Sequence, residues 1–248
     1  MSLRGPAFTP LGAIALMSAA FATFLVVGNV VAATGAPTLL ALCAGQVAFA
    51  AFPVVACVRT QRPLAAIGLA RAPARMFVAA VLVGVSAWYV NAWLVSLLSL
   101  PEGDTAPLEQ AVEASSLAFT VLGIGLVPAI CEELVFRGLV LRALASRFVP
   151  VAAVVASAAL FSAYHLSPVQ ALPTLTLGLL LGLLAVRGGS VLPTMLAHLL
   201  NNTMAIVVHR RVLPGVSWMD QHAGATLAIA AATTTAGIVL ALRSKVHQ

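Results

Sequence analysis

Seven residues of this sequence have types and spacings that suggest chemistry, and they form three groups. The groups are Glu132, Glu133 and Arg137; Phe161 and His165; and His198 and Asn202. A carboxylate and an imidazole from different helices can hold one water molecule and remove its proton. We assign this task to Glu132 with His165. An imidazole and a carboxamide one helical turn apart can donate hydrogen bonds to a carbonyl oxygen as it becomes negative. We assign this second task to His198 with Asn202, which gives a hydrolase that needs no covalent nucleophile.

The three charged residues of the first group lie in an apolar helix, where charges are unfavourable. On insertion scales each costs about 2.5 to 3.5 kcal/mol at the centre of a membrane helix, so it needs a partner and usually marks a function. Glu133 and Arg137 are four residues apart on one face, which predicts a structural ion pair that orients Glu132. Adjacent residues point about 100° apart, so Glu132 must find its partner on another helix. Pro128 removes a backbone donor one turn earlier and predicts a kink there.

The histidines also have a less specific interpretation, which stays open. A single histidine inside a membrane helix is more often a hydrogen-bonded packing residue than a catalyst. Phe161 shares a helix face with His165 and is assigned an orienting role. Three polar groups on three helices favour one interior cavity, because each group would otherwise be buried without compensation.

Two other kinds of site would use some of the same residues. Cys131 could act as a thiolate beside Glu132, but it has no histidine on its own helix face. Glu132, His165 and His198 together have the donor types of a catalytic zinc site. The sequence has no HExxH motif, so we expect a site without a metal or other cofactor, and a divalent ion is the alternative.

The composition predicts an integral membrane protein. Of 248 residues, 61% are hydrophobic and 8% are charged. Disordered chains, collagens, coiled coils and disulfide-rich mini-proteins do not combine these features. Cys43, Cys57 and Cys131 form no CxxC pair, so neither a disulfide framework nor a zinc ribbon is expected. The net charge of +6 indicates orientation in the membrane rather than nucleic-acid binding.

The apolar runs that must position the site residues predict an all-α polytopic membrane protein. About eight transmembrane helices enclose the active site within the bundle. The runs cover about 11–34, 37–58, 77–100, 115–141, 149–166, 170–186, 190–208 and 224–242. Gly178 and Gly182 allow another helix to approach the sixth run closely. Within one structural domain, residues 1–114 form a three-helix region with an amphipathic inner loop. Residues 115–208 form the catalytic core, and 209–248 form an outer loop and the last helix.

Basic residues predict which side of the membrane each loop faces. With the N-terminus in the cytoplasm, ten lie inside: Arg4, Arg59, Arg62, Arg71, Arg75, Arg142, Arg147, Arg187, Arg243 and Lys245. Arg210 and Arg211 lie outside, which is a strong positive-inside asymmetry. Both termini are then cytoplasmic, and an acidic loop faces outward. This loop carries Glu102, Asp104, Glu109 and Glu113. The segment 59–76 either lies along the inner surface as an amphipathic stretch or is a solvated linker.

The predicted helix bounds place His165 at a different depth in the membrane from the other site residues. At about 1.5 Å per residue from the cytoplasmic ends, His198 lies about 13 Å deep, Glu132 about 15 Å and His165 about 24 Å. A shared water molecule therefore requires that the fifth helix starts later or tilts, or that the fourth extends toward Arg147.

The three groups resemble the motifs of a known family. Residues 132–138 resemble the EExxxR motif, 161–165 the FxxxH motif and 198–202 the HxxxN motif of the CAAX-protease and bacteriocin-processing (CPBP) intramembrane proteases. These include the type II CAAX prenyl endopeptidases, and the order and approximate spacing match over about residues 115–205. The resemblance implies a glutamate-dependent endopeptidase that needs no metal. It implies that Glu132 and His165 act on water, and that His198 and Asn202 act on the oxyanion.

The resemblance also implies partners and a location. The expected partners are a membrane-anchored protein or peptide substrate and the lipid bilayer, and no nucleic acid. Family substrates include prenylated tails, membrane-anchored regulators, pheromones or bacteriocins, and sorting segments. The bias toward Ala, Arg and Val suggests a high-GC bacterium, so the inner membrane is expected and prenylated tails are least favoured. A catalytically silent membrane scaffold is one alternative. A proton-coupled transporter is a weaker one, because no repeat symmetry is visible.

Overall fold

The structure is a computed structural model that describes residues 8–59, 64–98 and 106–243, without the side chain of residue 107. Within these ranges the chain forms helices and loops and no β-strand. Some residues of the orientation argument lie outside the described ranges: Arg4, Arg62, Glu102, Asp104 and Lys245.

The described residues form ten helices and a short 3-10 turn at Leu64–Ile67. The helices are α1 (Pro10–Ala33), α2 (Thr38–Arg59), α3 (Ala74–Ser96), α4 (Ala106–Ala114), α5 (Leu117–Ala145), α6 (Pro150–Tyr164), α7 (Pro168–Gly188), α8 (Leu192–His209), α9 (Val216–Gln221) and α10 (Ala223–Leu242). Each of the eight predicted runs corresponds to one of them, and α4 and α9 are additional short helices. Six are long and apolar enough to cross a membrane: α1, α2, α3, α5, α7 and α10. Of the other two, α6 has 15 residues and α8 has 18. The prediction of an all-α polytopic membrane protein is confirmed.

The helix α5 carries the first group of site residues and is the most deeply buried part of the chain. It ends at Ala145, four residues beyond the predicted run. All residues from Cys131 to Leu144 are buried. Two stretches of α5 are π-helical, Val121–Leu126 and Leu134–Val140. Such widened turns occur frequently at functional sites. The first one directly precedes the turn that contains Pro128, so the backbone disturbance predicted there takes the form of a π-helical stretch.

Glycines allow close packing where the site-bearing helices meet their neighbours. A methyl group at Gly84 in α3 would lie 2.6 Å from the carbonyl oxygen of Ala197 in α8. Gly178 in α7 faces Ala158 in α6, and a methyl group there would lie 3.0 Å from the Ala158 Cβ. Gly182 faces Val154 of α6 in the same way. The close helix approach predicted for Gly178 and Gly182 is therefore present, and it joins α6 to α7.

The segment between α2 and α3 packs against α5 and against the turn between α7 and α8. Ile67 is completely buried, and a methyl group at Gly138 in α5 would lie 2.6 Å from its carbonyl oxygen. The Gly68 carbonyl accepts a hydrogen bond from the Val191 N–H at 2.9 Å, and the Ser190 hydroxyl donates to the Ala70 carbonyl at 2.6 Å. Neither a solvated linker nor a surface-bound amphipathic stretch describes this part of the segment, because bundle contacts hold it.

Candidate active site

Glu132 lies in α5 with 4% of its surface exposed, and its two carboxylate oxygens have different surroundings. The Gln46 Nε2 of α2 donates a hydrogen bond to Oε1 at 2.6 Å. Oε2 lies 3.8 Å from the His198 Nε2 of α8, which is too long for a direct hydrogen bond. Among the described residues no donor forms a hydrogen bond with Oε2. The partner that Glu132 needs on another helix is therefore Gln46, and one carboxylate oxygen stays available.

Glu133 and Arg137 form the ion pair that their spacing predicts. The Arg137 Nη1 lies 2.6 Å from the Glu133 Oε1, and both side chains are fully buried or nearly so. The Arg137 Nη2 also donates to the Gly178 carbonyl of α7 at 3.2 Å. The guanidinium lies 4.4 Å from the centre of the Phe161 ring, within the range of a cation–π contact. These contacts connect α5 with α6 and α7.

His198 lies between the two glutamates of α5 and is also buried. Its Nδ1 is 3.0 Å from the Glu133 Oε1. A carboxylate only accepts hydrogen bonds, so Nδ1 carries the proton and donates. In the neutral ring Nε2 is then an acceptor, whereas the doubly protonated ring donates from both nitrogens. Nε2 is the nitrogen that faces Glu132, so Glu133 fixes the orientation of the imidazole toward the other glutamate.

His165 caps the C-terminal end of α6 and is half-buried. Its Nδ1 lies 2.9 Å from the Phe161 carbonyl oxygen. A carbonyl only accepts, so Nδ1 is again the protonated nitrogen, and Nε2 of the neutral ring is an acceptor. The ring packs edge-on against Phe161 and Tyr164, with centroid distances of 4.9 and 5.4 Å. The ring is thus held in an orientation that suits a proton acceptor.

The Phe161 ring connects the histidines of α6 and α8. Its centroid lies 4.9 Å from that of His165 and 5.9 Å from that of His198. On the other side of the group, the Gln46 Nε2 that binds Glu132 lies 3.4 Å from the Tyr164 hydroxyl. These contacts therefore join eight residues into one connected network: Gln46, Glu132, Tyr164, His165, Phe161, His198, Glu133 and Arg137. The helix α5 continues to Ala145, which changes the depth of Glu132 in the direction that a shared site with His165 requires.

Asn202 lies one turn beyond His198 on α8, and its amide contacts the π-helical stretch of α5. Its Nδ2 donates to the Ile124 carbonyl at 2.9 Å, and its Oδ1 accepts from the Asn201 Nδ2 at 3.2 Å. A carboxamide nitrogen carries two hydrogens. One is used by Ile124, which leaves a second N–H for a further acceptor.

The residue types of a zinc site are present, but their arrangement does not form one. Among the described residues no three His, Cys, Asp or Glu side chains come together as a group that could hold a metal ion. The alternative site of Glu132, His165 and His198 is therefore not assembled in this arrangement. That the reaction needs no cofactor stays a prediction.

Sequence reasoning missed two contacts of this network. Gln46 is the one polar side chain in the interior of the apolar helix α2, and this isolation was the signal that could have found it. The contact of His198 with Glu133 was also missed, because spacing along α5 accounts for Glu133 through Arg137 alone.

Residues 114–204 match the family described as type II CAAX prenyl endopeptidase Rce1-like. This match supports the resemblance to the CPBP family of intramembrane proteases that the three motifs indicate. The matched segment contains all seven residues that the sequence singled out, and it leaves α1 to α3 outside. At the level of the family, the match supports a CAAX-type intramembrane endopeptidase, a hydrolase that acts on a membrane-associated peptide in a lipid environment. Neither a search of curated proteins nor a search of solved structures gave a match to this chain.

Proposed function

We propose that this protein is a glutamate-dependent intramembrane endopeptidase that cleaves a membrane-anchored protein or peptide with an activated water molecule. The observation that carries the proposal is the pair of facing atoms Glu132 Oε2 and His198 Nε2, which lie 3.8 Å apart in a buried position. One water molecule can contact both atoms when it lies beside the pair, because it donates to the carboxylate and has a second site for the imidazole. The family match supports the same class of reaction.

The proposed reaction follows from the available donors and acceptors. Glu132 Oε2 removes one proton from water, and His165 Nε2 accepts a hydrogen bond from the hydrogen that stays on the water oxygen. The water oxygen forms a bond with the substrate carbonyl carbon, and the carbonyl electron pair moves to its oxygen. His198, doubly protonated, donates from Nε2 to this oxygen, and Asn202 donates its second N–H. The carbon–nitrogen bond then breaks, and the amine leaves with the proton held by Glu132.

The proposed orientation has both termini in the cytoplasm of a bacterial inner membrane. Described arginines cluster where α2, α5, α7 and α10 end and where α3 begins: Arg59, Arg71, Arg75, Arg142, Arg147, Arg187 and Arg243. The Arg187 Nη1 contacts the Leu242 carbonyl at 3.3 Å, so α7 and α10 end at the same side. Arg210 and Arg211 follow α8 at the opposite end, which agrees with a positive-inside orientation.

The proposed substrates are membrane-anchored regulators, secreted peptide precursors or C-terminal sorting segments. The family description names prenyl endopeptidases, but we rank prenylated tails last, because protein prenylation is not expected in a bacterium.

The test is a comparison of peptide termini in membranes from cells that produce the wild-type protein or Glu132→Gln. The substitution keeps the shape of the side chain and removes the base. Glu113→Gln is the matched control, because it makes the same chemical change at an exposed position in α4. New termini should be present with wild type and Glu113→Gln and absent with Glu132→Gln. If a folded, membrane-inserted Glu132→Gln protein yields the same termini as wild type, the proposal is wrong.

A further inference from the structure

We propose that Gln46 is a positioning residue that holds Glu132 Oε1 and thereby reserves Oε2 for the reaction. This inference rests on the proposed function, because it concerns how the same glutamate is held. Gln46 lies in α2, outside the segment 114–204 that matches the family. It brings a helix of the N-terminal region into direct contact with the reacting carboxylate.

The contact between Gln46 and Glu132 is short and shielded from solvent. Gln46 is 5% exposed and Glu132 is 4% exposed, and the Nε2 to Oε1 distance is 2.6 Å. A hydrogen bond to an ionised acceptor is about twice as strong as a neutral one. The same Nε2 lies 3.4 Å from the Tyr164 hydroxyl oxygen, so the amide is oriented between two acceptors.

This contact makes the two carboxylate oxygens of Glu132 inequivalent. Rotation about the terminal bond of Glu132 changes the plane of the carboxylate, and rotated orientations turn both oxygens away from the His198 Nε2. The hydrogen bond from Gln46 to one oxygen fixes this plane, with the other oxygen 3.8 Å from the His198 Nε2. The general base is thereby held in one orientation before the substrate arrives, which is the condition for efficient proton transfer.

The surroundings of Gln46 favour this role over general packing. Burying a carboxamide is unfavourable unless it forms hydrogen bonds, and an apolar side chain of the same length would suit an apolar helix better. Within the described chain, the Gln46 Oε1 is buried without a hydrogen-bond partner. The amide nitrogen therefore contacts Glu132 and Tyr164, and the amide oxygen forms no hydrogen bond that would stabilise helix packing.

Three variants separate positioning from packing. Gln46→Met keeps the length of the side chain and removes the donor, whereas Gln46→His supplies an imidazole N–H at a similar distance. Asn91→Leu is the matched control for a lost buried amide. Asn91 is 6% exposed, and its Oδ1 accepts from the Thr176 hydroxyl at 2.6 Å. It lies in α3, away from the catalytic network.

The measurement is cleavage of a reporter peptide built around a site that is cleaved in membranes with the wild-type protein and not in membranes without it. We expect Gln46→Met to lower kcat by about tenfold to a hundredfold with KM within about twofold of wild type. Gln46→His should recover most of this loss. Asn91→Leu should lower the melting temperature at least as much as Gln46→Met does and leave kcat unchanged.

Each contrary outcome has a distinct meaning. If Gln46→Met is folded and keeps the wild-type kcat, or if Asn91→Leu loses kcat equally, Gln46 has no positioning role. If Gln46→Met does not fold, Gln46→His decides, and a tenfold or larger loss of kcat in that folded variant contradicts the proposal. Full activity of Glu132→Gln would refute the proposed function itself, which distinguishes the two failures.

Discussion

Two regions of the bundle bury polar side chains, and they do so in different ways. Around α3, the pairs are neutral: Thr176 donates to Asn91 at 2.6 Å, and the hydroxyls of Ser86 and Thr234 lie 2.7 Å apart. These contacts join α3 to α7 and α10. Around Glu132 and Glu133 in α5, by contrast, charged side chains are buried within one network.

The two regions also differ in how completely their polar atoms are bonded. In the α5 network four buried atoms lack a hydrogen-bond partner among the described residues: Gln46 Oε1, Glu132 Oε2, Glu133 Oε2 and Arg137 Nε. No atom of the two α3 pairs has this property within the described chain. Neutral pairs in which every polar atom is hydrogen-bonded stabilise helix packing. Buried charged groups with unused donors or acceptors indicate the place where chemistry is expected.

The largest effect should follow the breaking of the buried ion pair. Glu133→Ala leaves the Arg137 guanidinium and the His198 ring without their acceptor, and loss of one partner of such a pair costs about 3–5 kcal/mol. We expect a matching fall in the free energy of unfolding in detergent micelles, with loss of cleavage.

A double substitution sharpens this first prediction. Glu133→Leu with Arg137→Met removes both charges, so it should restore much of the stability but not the activity, because His198 still lacks its anchor. A double variant as active as wild type would contradict the orienting role of Glu133.

A middle-sized effect should follow an added methyl group at the contact between the two regions. Gly84→Ala places a carbon 2.6 Å from the Ala197 carbonyl oxygen, so α8 must shift, at a cost of about 1–3 kcal/mol. Since His198 follows Ala197 directly, kcat/KM should also fall. Gly224→Ala in α10 is the control, because a methyl group there meets no atom within 4 Å; equal effects of both would contradict the packing argument.

The smallest effect should follow the loss of a neutral hydrogen-bonded pair at α3. Ser86→Ala removes one neutral hydrogen bond to Thr234, which contributes about 0.5–1.5 kcal/mol. The melting temperature should fall slightly, and kcat for the reporter should stay at the wild-type value. A loss of kcat comparable to that of Gln46→Met would show that the two regions do not differ in the way described above.

Local spacing predicts those features of the site that lie within one helix. The eight apolar runs locate eight helices, and the four-residue spacing of Glu133 and Arg137 predicts their contact, because both depend on helical geometry alone. The partner of Glu132 depends on how α2 is rotated against α5, and a single sequence does not contain that information. Gln46 is therefore visible as an isolated amide but not as a partner.

The depth of His165 illustrates a second limit. The sequence places α5 at about 115–141, whereas the helix extends to Ala145 and contains two π-helical stretches. Apolar residues continue past the predicted end, so hydropathy does not locate that end, and extra residues in π turns change the register between helices. Likewise, the segment 59–76 has the composition of a surface stretch, but tertiary contacts bury Ile67.

The central claim is that Glu132 and His198, from different helices, act together on one reacting centre. A double-mutant cycle with Glu132→Gln and His198→Gln, measured as kcat/KM on the reporter, tests it most directly. Each single substitution should lower kcat/KM by about a hundredfold or more. The double variant should be within about tenfold of the weaker single variant, because residues that act as a unit are not additive. Two independent losses that multiply in the double variant would contradict the claim.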